Sequence, residues 1–121
     1  MNDRKILAYK NYFIDFYQKQ PDNVQSKIEW ILKLIQVTHQ VPEKYFKHIE
    51  GTKGLYEIRV EVESNIYRIF SFFDKGNLVV LGNAFQKKSQ KTPKRQLDKA
   101  LKIMEEYQNE FSKAVKQIQK K

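Results

Sequence analysis

The sequence predicts an α+β fold in a single domain of 121 residues. Three observations lead to this prediction: helically spaced apolar residues in the first third, strand-like alternation from about residue 55, and a long apolar stripe near the C-terminus. Seven Tyr and eight Phe supply enough bulk for a core, and no Pro-, Gly- or Ser-rich linker divides residues 1–121. We expect two N-terminal helices, a twisted, mainly antiparallel sheet of three to five strands, and a C-terminal helix.

The N-terminal third predicts one short strand followed by two helices. Residues 6–9 (ILAY) are apolar and short enough to form an opening strand. Aromatic residues then follow helical spacing at Tyr12, Phe13, Phe16 and Tyr17. A second helix begins at Pro21 and Asp22 and ends before Pro42. Its apolar residues recur every three or four positions, at Val24, Ile28, Ile31, Leu32 and Ile35.

The middle of the chain predicts three strands. Residues 55–62 alternate, with Ile58, Val60 and Val62 on one face and charged residues on the other. Residues 66–73 are rich in aromatic and β-branched side chains, and the apolar run resumes at 78–81 after a turn. Short turns require antiparallel neighbours, because a parallel crossover needs about a dozen residues or more. Both faces look partly apolar, so helices should cover at least one of them.

The last element is predicted to be a helix over about residues 93–118. Thr92 is a good N-cap residue, and Pro93 suits the first helical position. One apolar stripe follows, formed by Leu97, Leu101, Met104, Tyr107, Phe111, Val115 and Ile118. Such a stripe is usually core packing, but on a helix this long its distal part could instead dock a partner.

The composition excludes several classes of protein. The chain has no Cys, which excludes disulfides, thiolate catalysis, zinc ribbons and iron–sulfur clusters. Its two His residues are too few for a histidine metal site, so we expect no metal and no small-molecule cofactor. No apolar run approaches the roughly 18 residues of a membrane span, and no signal-peptide core follows the N-terminus. We therefore expect a cytoplasmic protein with no membrane partner.

The positive charge is concentrated in the C-terminal third. Residues 1–83 hold 12 Lys and Arg against 10 Asp and Glu, whereas residues 84–121 hold 11 against 4. No acidic residue lies between Asp74 and Asp98, a stretch that contains Lys75, Lys87, Lys88, Lys91, Lys94 and Arg95. A field of one sign attracts polyanions and accelerates their encounter with the protein. The alternative is a solvated lysine-rich surface without a partner.

The first turn of the C-terminal helix contradicts the usual charge preference of helices. Lys94 and Arg95 lie at the end where the helix dipole disfavours cations, and no Glu completes a capping box. Departures from local rules occur mainly at functional sites. Together with Lys87, Lys88 and Lys91, these residues predict a phosphate-binding corner, with a merely solvated turn as the alternative.

Four segments carry a resemblance to a known family. They are GTKGLYEIRV at 51–60, YRIF at 67–70, FFD at 72–74 and FQKKSQKTP at 85–93. In this order and spacing they resemble the HigB-like branch of the RelE/ParE toxin superfamily, which includes phage-derived host-killing proteins. The resemblance extends from about Tyr12 to Tyr107 and does not include the tail beyond. It implies a RelE-like fold, with helices packed on a twisted, mainly antiparallel sheet.

The resemblance also implies a function. Toxins of the RelE and HigB branches belong to type II toxin–antitoxin systems and cut mRNA in the ribosomal A site, which inhibits translation. The implied activity is a metal-independent endoribonuclease, and the implied partners are the ribosome, mRNA and a helix-turn-helix antitoxin. Two alternatives remain open: a ParE-like inhibitor of DNA gyrase without nuclease activity, and a non-catalytic basic RNA-binding module.

Residues for this chemistry follow from the family pattern. Attack of a 2′-hydroxyl on the adjacent phosphorus requires a site that orients the phosphate, stabilises added negative charge and assists proton transfer. Arginine suits the first two tasks because its planar fork binds two phosphate oxygens. Carried over by position, the catalytic residues are Arg59, Arg68 and Lys87. The candidate RNA-binding residues are Lys88, Lys91, Lys94 and Arg95. Tyr67 and Phe85 are candidates as well, because their rings could stack on an RNA base.

Several of these assignments have a structural alternative. Arg68 could be a partly buried arginine paired with Glu57 or Glu61, and aromatic residues such as Tyr67 and Phe85 are more often core. The general base is open, because Glu57 replaces a basic residue of the RelE pattern and no tyrosine follows Lys91 at the corresponding place. His48 is a conceivable base because an imidazole can accept a proton, although a structural role is more common for a lone histidine.

Overall fold

The structure is a computed structural model that describes residues 3–88 and 91–119, with the side chains described as far as Phe111. In chain order the described elements are β1 (Lys5–Ala8), α1 (Tyr12–Gln18), α2 (Asp22–Val37), β2 (Phe46–His48), β3 (Leu55–Val62), β4 (Asn65–Asp74), β5 (Leu78–Lys87) and α3 (Lys94–Gln119). Three helices and a mixed five-stranded sheet confirm the predicted α+β class, and the arrangement is compatible with a RelE-like fold.

The sheet has the strand order β1-β5-β4-β3-β2. The pairs β3–β4 and β4–β5 are antiparallel, as the short predicted turns require. The pair β2–β3 is also antiparallel, whereas β1 pairs with β5 in parallel. The tight turn between β4 and β5 uses left-handed backbone at Lys75 and Gly76, with φ of 46° and 81°. Most of the chain separates β1 from β5, so their parallel pairing is a long-range contact that no local pattern indicates.

Both faces of the sheet are covered, each by a different set of helices. Helices α1 and α2 pack on one face, against a buried cluster that includes Ile58, Val60 and Ile69. Helix α3 packs on the other face, against Leu55, Phe70, Phe72, Val80 and Phe85. Phe70 is fully buried in this second cluster, and the burial of apolar surface here stabilises the packing of α3 on the sheet.

An irregularity in β5 decides which face its C-terminal half presents. Ile69 pairs with Ala84 but Ser71 pairs with Leu81, so one extra residue of β5 is accommodated between these pairs. Before the bulge, Val79 and Leu81 face α1 and α2; after it, Phe85 packs on the α3 side. A one-residue bulge reverses the alternation of the strand, and here it places Phe85 and Lys87 on the α3 face.

Three boundaries differ from the sequence-based expectation. Strand β2 was not predicted, because three residues with one buried side chain, Phe46, show no alternation. Strand β5 continues six residues past the predicted apolar run, through the bulge to Lys87. Helix α3 begins at Lys94, and the carbonyl of Pro93 accepts its first hydrogen bonds, from the amides of Gln96 and Leu97.

Helix α3 is fastened to the N-terminal elements by tyrosines and carboxylates. The Tyr9 hydroxyl donates to Glu110, and the Tyr12 hydroxyl donates to Glu106 at 2.8 Å. Tyr107 of α3 donates to Asp74, the last residue of β4, at 2.7 Å. These contacts involve residues 106–110, a little more than one turn of α3, and they hold this part of the helix against the sheet and the N-terminal elements.

The apolar stripe of α3 packs on the sheet as far as it is described. Met104 belongs to the buried cluster between α3 and the sheet, and this cluster is contacted by Leu97, Leu101 and Tyr107. The ring of Phe111 lies nearly parallel to that of Tyr107, with 6.4 Å between the ring centroids. Phe111 is 36% exposed and has the Lys75 ammonium 4.4 Å from its ring centroid. The side chains of Val115 and Ile118, which complete the predicted stripe, lie outside the described residues.

We predict that the Tyr9–Glu110 contact makes stability sensitive to alkaline pH. Burial and the hydrogen bond to Glu110 raise the pKa of Tyr9 from 10.0 to about 12. A raised pKa gives stability that is complete below pH 10 and is lost as the pH rises through about 12. Tyr9→Phe should cost about 1 kcal/mol at neutral pH and flatten the decline of unfolding free energy above pH 10.

Urea unfolding at pH 8, 10 and 11 measures this effect. The matched control is Tyr45→Phe, because the Tyr45 hydroxyl donates no hydrogen bond within the described residues. An equal alkaline decline in the wild type and in Tyr9→Phe would contradict the prediction.

Candidate functional site

The polar half of the α3 face brings the three candidate catalytic residues together. Arg59 of β3 lies directly opposite Arg68 of β4, and Arg68 lies opposite Phe85 of β5. Lys87 pairs with Ile66, two residues further along the same face. Three neighbouring strands therefore place two arginines and a lysine side by side, beyond the apolar rows on which α3 packs.

Arg68 is held by a carboxylate on the neighbouring strand. Its guanidinium forms an ion pair with Glu57, and the two side chains are only 12% and 14% exposed. The Nε atom of Arg68 is buried without a hydrogen-bond partner in the described structure, and burial lowers the pKa of Arg68. A buried guanidinium with an unused donor is ready to accept an anionic ligand.

Lys87 lies within the electrostatic range of both arginines. Burial lowers the pKa of Lys87, and the positive charges of Arg68 and then Arg59 lower it further. A bound anion would relieve this repulsion, since it would interact favourably with all three cations. The pairing of Arg59 with Glu61 at 3.2 Å is more exposed and offsets only part of the positive charge.

Arg68 and Lys87 border a concave surface of about 360 Å³, here called the Arg68 groove. Its lining consists of Lys47, His48, Ile49, Glu50, Glu57, Arg68, Lys87 and Thr92. The groove thus joins the central strands to β2 on one side and to the segment before α3 on the other. It combines three cations suited to phosphate with two carboxylates and an imidazole, which are groups that can transfer protons.

His48 lies on the rim of the Arg68 groove. The residue is exposed, its Nε2 atom is 3.2 Å from the carbonyl oxygen of Thr52, and its ring meets Tyr56 edge-on at 5.3 Å. The sequence identified His48 as a conceivable base, but it did not identify the neighbouring Lys47. Lys47 belongs to β2, whose three residues carry no pattern that would have revealed the strand.

The predicted basic corner is divided between two surfaces. Lys87 and Thr92 line the Arg68 groove, whereas Lys94 and Arg95 line a separate open surface with Asp98, Lys99 and Lys102. Lys88 and Lys91 are exposed between these surfaces. The two residues between Lys88 and Lys91 lie outside the described residues.

A hydrogen bond connects the bulge of β5 to the start of α3. The buried Asn83 amide donates to the backbone carbonyl of Gln96 at 3.1 Å. The same nitrogen lies 3.1 Å from the side-chain oxygen of Gln96. This contact sets the position of the first turn of α3, and with it the positions of Lys94 and Arg95.

The structure does not bring Tyr67 to the candidate site. Adjacent residues of a strand point to opposite faces, so Tyr67 lies beneath α1, 5% exposed and edge-on to Phe16 at 6.2 Å. Phe85 does lie on the site face, but it is 8% exposed and its ring packs 5.6 Å from that of Phe70. Both rings occupy core positions, which was the alternative reading of these aromatic residues.

A mixed sheet with helices on both faces and a cationic groove beside its central strands defines a small basic α+β domain. Residues 15–105 match the family described as phage-derived protein Gp49-like (DUF891). Because this match covers most of the chain, the protein belongs to the Gp49-like family. No match was found among curated proteins.

The described residues contain neither a metal-site cluster nor a membrane-spanning helix. No three His, Cys, Asp or Glu side chains in this part of the chain come together as a metal site would need. No helix within it is long and apolar enough to cross a membrane.

We predict that Glu57 and Glu61 contribute unequally to stability. Glu57→Gln leaves the Arg68 guanidinium buried without a counter-charge and should lower the unfolding free energy by about 2 kcal/mol. Glu61→Gln removes the partner of the more exposed Arg59 and should cost less than about 1 kcal/mol. Chemical denaturation of the two variants measures the difference, and equal losses would show that the Glu57–Arg68 pair is effectively solvated.

Proposed function

We propose that this Gp49-like protein is the toxin of a type II toxin–antitoxin system, of the HigB-like kind, and that it cleaves mRNA on the ribosome. The observation that carries the proposal is the juxtaposition of Arg59, Arg68 and Lys87 on adjacent strands beside a concave surface. Membership of the Gp49-like family is compatible with a toxin. The excess of 23 basic over 14 acidic residues favours a polyanionic substrate.

The proposed reaction is an internal transfer at phosphorus. The ribose 2′-oxygen loses its proton and forms a bond to the adjacent phosphorus, while the bond from phosphorus to the 5′-oxygen breaks. The products are a 2′,3′-cyclic phosphate and a 5′-hydroxyl, which takes up a proton. Arg68 and Lys87 would bind the non-bridging oxygens and stabilise the charge that develops on them. A lowered pKa also suits Lys87 for giving a proton to the leaving oxygen.

Two groups of the Arg68 groove can accept the 2′-proton, the Glu57 carboxylate and the His48 imidazole. In the structure Glu57 is occupied by Arg68. A phosphate that binds Arg68 would compete with Glu57 for the guanidinium and would release the carboxylate beside the substrate. This exchange of anions would couple substrate binding to the availability of a base.

The proposal includes two partners. The ribosome and mRNA would meet the cationic half of the sheet together with the exposed Lys88 and Lys91. A helix-turn-helix antitoxin with an acidic or amphipathic segment would neutralise the toxin by covering this surface.

The deciding experiment is primer extension on mRNA from cells that express the chain. New 5′ ends inside translated frames support the proposal, whereas DNA damage without such cuts would indicate gyrase inhibition.

We predict that Arg68→Ala slows mRNA cleavage about a hundredfold. Loss of a transition-state contact worth roughly 3 kcal/mol slows the reaction about a hundredfold. Cleavage rates on translating ribosomes measure this loss. Thermal melting must accompany them, because Arg68→Ala also leaves Glu57 without its partner.

The variant Arg68→Lys separates catalysis from folding. It keeps a positive charge beside Glu57 but loses the planar fork that binds two phosphate oxygens. We expect it to melt close to the wild type and to cut at least tenfold more slowly. Normal cleavage by either variant would remove Arg68 from the proposed mechanism.

We also predict that the lysines after β5 govern association with RNA. Replacing Lys87, Lys88 and Lys91 by Ala together should weaken RNA binding and reduce its salt dependence. Each phosphate contact contributes about 0.7–0.9 to the slope of log affinity against log salt. RNA binding measured from 50 to 300 mM salt gives the slope. The control is a triple substitution at Lys5 of β1, Lys19 just after α1 and Lys33 of α2. An unchanged slope in the test variant would show that Lys87, Lys88 and Lys91 do not touch phosphate.

A further inference from the structure

The largest exposed apolar side chain of the described structure lies on α2. Trp30 is 51% exposed and is the only tryptophan in the sequence. Its ring meets Tyr45 edge-on at 5.8 Å, and the Lys27 ammonium lies 4.7 Å from its centroid. Lys44 lies 5.0 Å from the centroid of Tyr45 in the same manner. These four residues are here called the edge platform.

The cations of the edge platform have no acidic partners among the described residues. Neither Lys27 nor Lys44 forms an ion pair there, and each instead lies against an aromatic ring. Stacking surfaces flanked by uncompensated lysines suit a ligand that offers flat rings and negative charges together. Among the other exposed apolar residues, Leu7 and Val37 have no ring on which a base could stack. Phe111 has one, but it stacks on Tyr107 of the same helix.

The edge platform is continuous with the candidate catalytic residues. A groove of about 310 Å³ is lined by Lys27, Lys44, Tyr45, Arg59, Glu61 and Glu63. Arg59 lies opposite Arg68 in the sheet and contributes to the electrostatic field at Lys87. The backbone amide of Arg59 also donates to the carbonyl of Tyr45 at 3.0 Å. Arg59 therefore connects the edge platform to the Arg68 groove.

We infer that the edge platform binds single-stranded RNA, holding the stretch of chain that continues from the phosphate in the Arg68 groove. Bases stack on Trp30 and Tyr45, and Lys27 and Lys44 contact the phosphates between them. Stacking on aromatic rings tolerates any base, so the edge platform adds affinity without sequence preference. This inference rests on the proposed function for the identity of the substrate.

A protein partner fits the edge platform less well. Protein-binding patches are depleted of lysine at their cores, whereas here a lysine lies over each ring. Glu61 and Glu63 also line the groove, but Glu61 is paired with Arg59 and neither carboxylate forms an ion pair with Lys27 or Lys44. Binding of the antitoxin at this surface is therefore an outcome that the experiment must exclude.

Trp30 supplies the experimental signal itself. Because it is the only tryptophan, its fluorescence reports directly on this surface. Titration of the full chain with a 12-nucleotide oligoadenylate should quench this emission, and higher salt should weaken the binding. Anisotropy of the same RNA carrying a dye should show about tenfold weaker binding to Trp30→Ala. The control is Val37→Ala, on the same helix and also 51% exposed in the wild type, which should bind normally.

Each result has a defined meaning for the inference. Unquenched emission, or unchanged affinity of Trp30→Ala for RNA, would overturn it. So would a change in emission that occurs with the purified antitoxin but not with RNA. The proposed function fails separately: if Arg68→Ala and the wild type both bind RNA through Trp30 but neither cuts mRNA, the edge platform stands without the nuclease.

Discussion

The ion pair between Arg68 and Glu57 is the contact on which the rest of the site depends. The Arg68 side chain is only 12% exposed, and its charge would be costly on the α3 face of a sheet whose other rows are Phe, Leu and Val. The carboxylate of the adjacent strand makes it tolerable, and cross-strand pairing of β3 with β4 brings the two groups together. The same pair keeps a cation and a potential base in one place, so a structural requirement and a chemical opportunity coincide.

Helix α3 determines how much of this face remains open. Its tyrosine and carboxylate contacts with Tyr9, Tyr12 and Asp74 fix the helix over the apolar rows. Asn83 fixes its first turn, so the helix cannot slide toward the polar rows without breaking a buried hydrogen bond. The functional surface is thus the part of the sheet that a firmly attached helix leaves uncovered.

Local patterns in the sequence predict most of the elements but only part of the site. Alternation and helical spacing extend over enough residues to reveal both N-terminal helices, strand β1, strands β3 and β4, and α3. They fail for β2, which is too short, and for the parallel pairing of β1 with β5, which depends on distant contacts. Arg68 was recognisable as a charge inside an aromatic strand. Trp30 and Tyr45 were not connected, because a helix end and a loop separate them in the chain. Tyr67 could have been excluded, since the neighbour of a residue in a strand points to the opposite face.

Because of the bulge between the Ile69 and Ser71 pairs, the geometry of the site depends on the exact number of residues in the second half of β5. Whether Lys87 faces its two arginines or the α1–α2 side depends on whether the number of residues between Leu81 and Lys87 is odd or even. A substitution in this stretch changes one side chain and leaves the others in place. The gain or loss of one residue instead moves every later side chain of β5 to the opposite face of the sheet. A single-codon deletion would exchange the buried and the cationic positions at the end of β5 while keeping nearly the same composition. A related sequence with one residue more or fewer in this segment would thus place Lys87 away from the two arginines, even where every basic residue is still present.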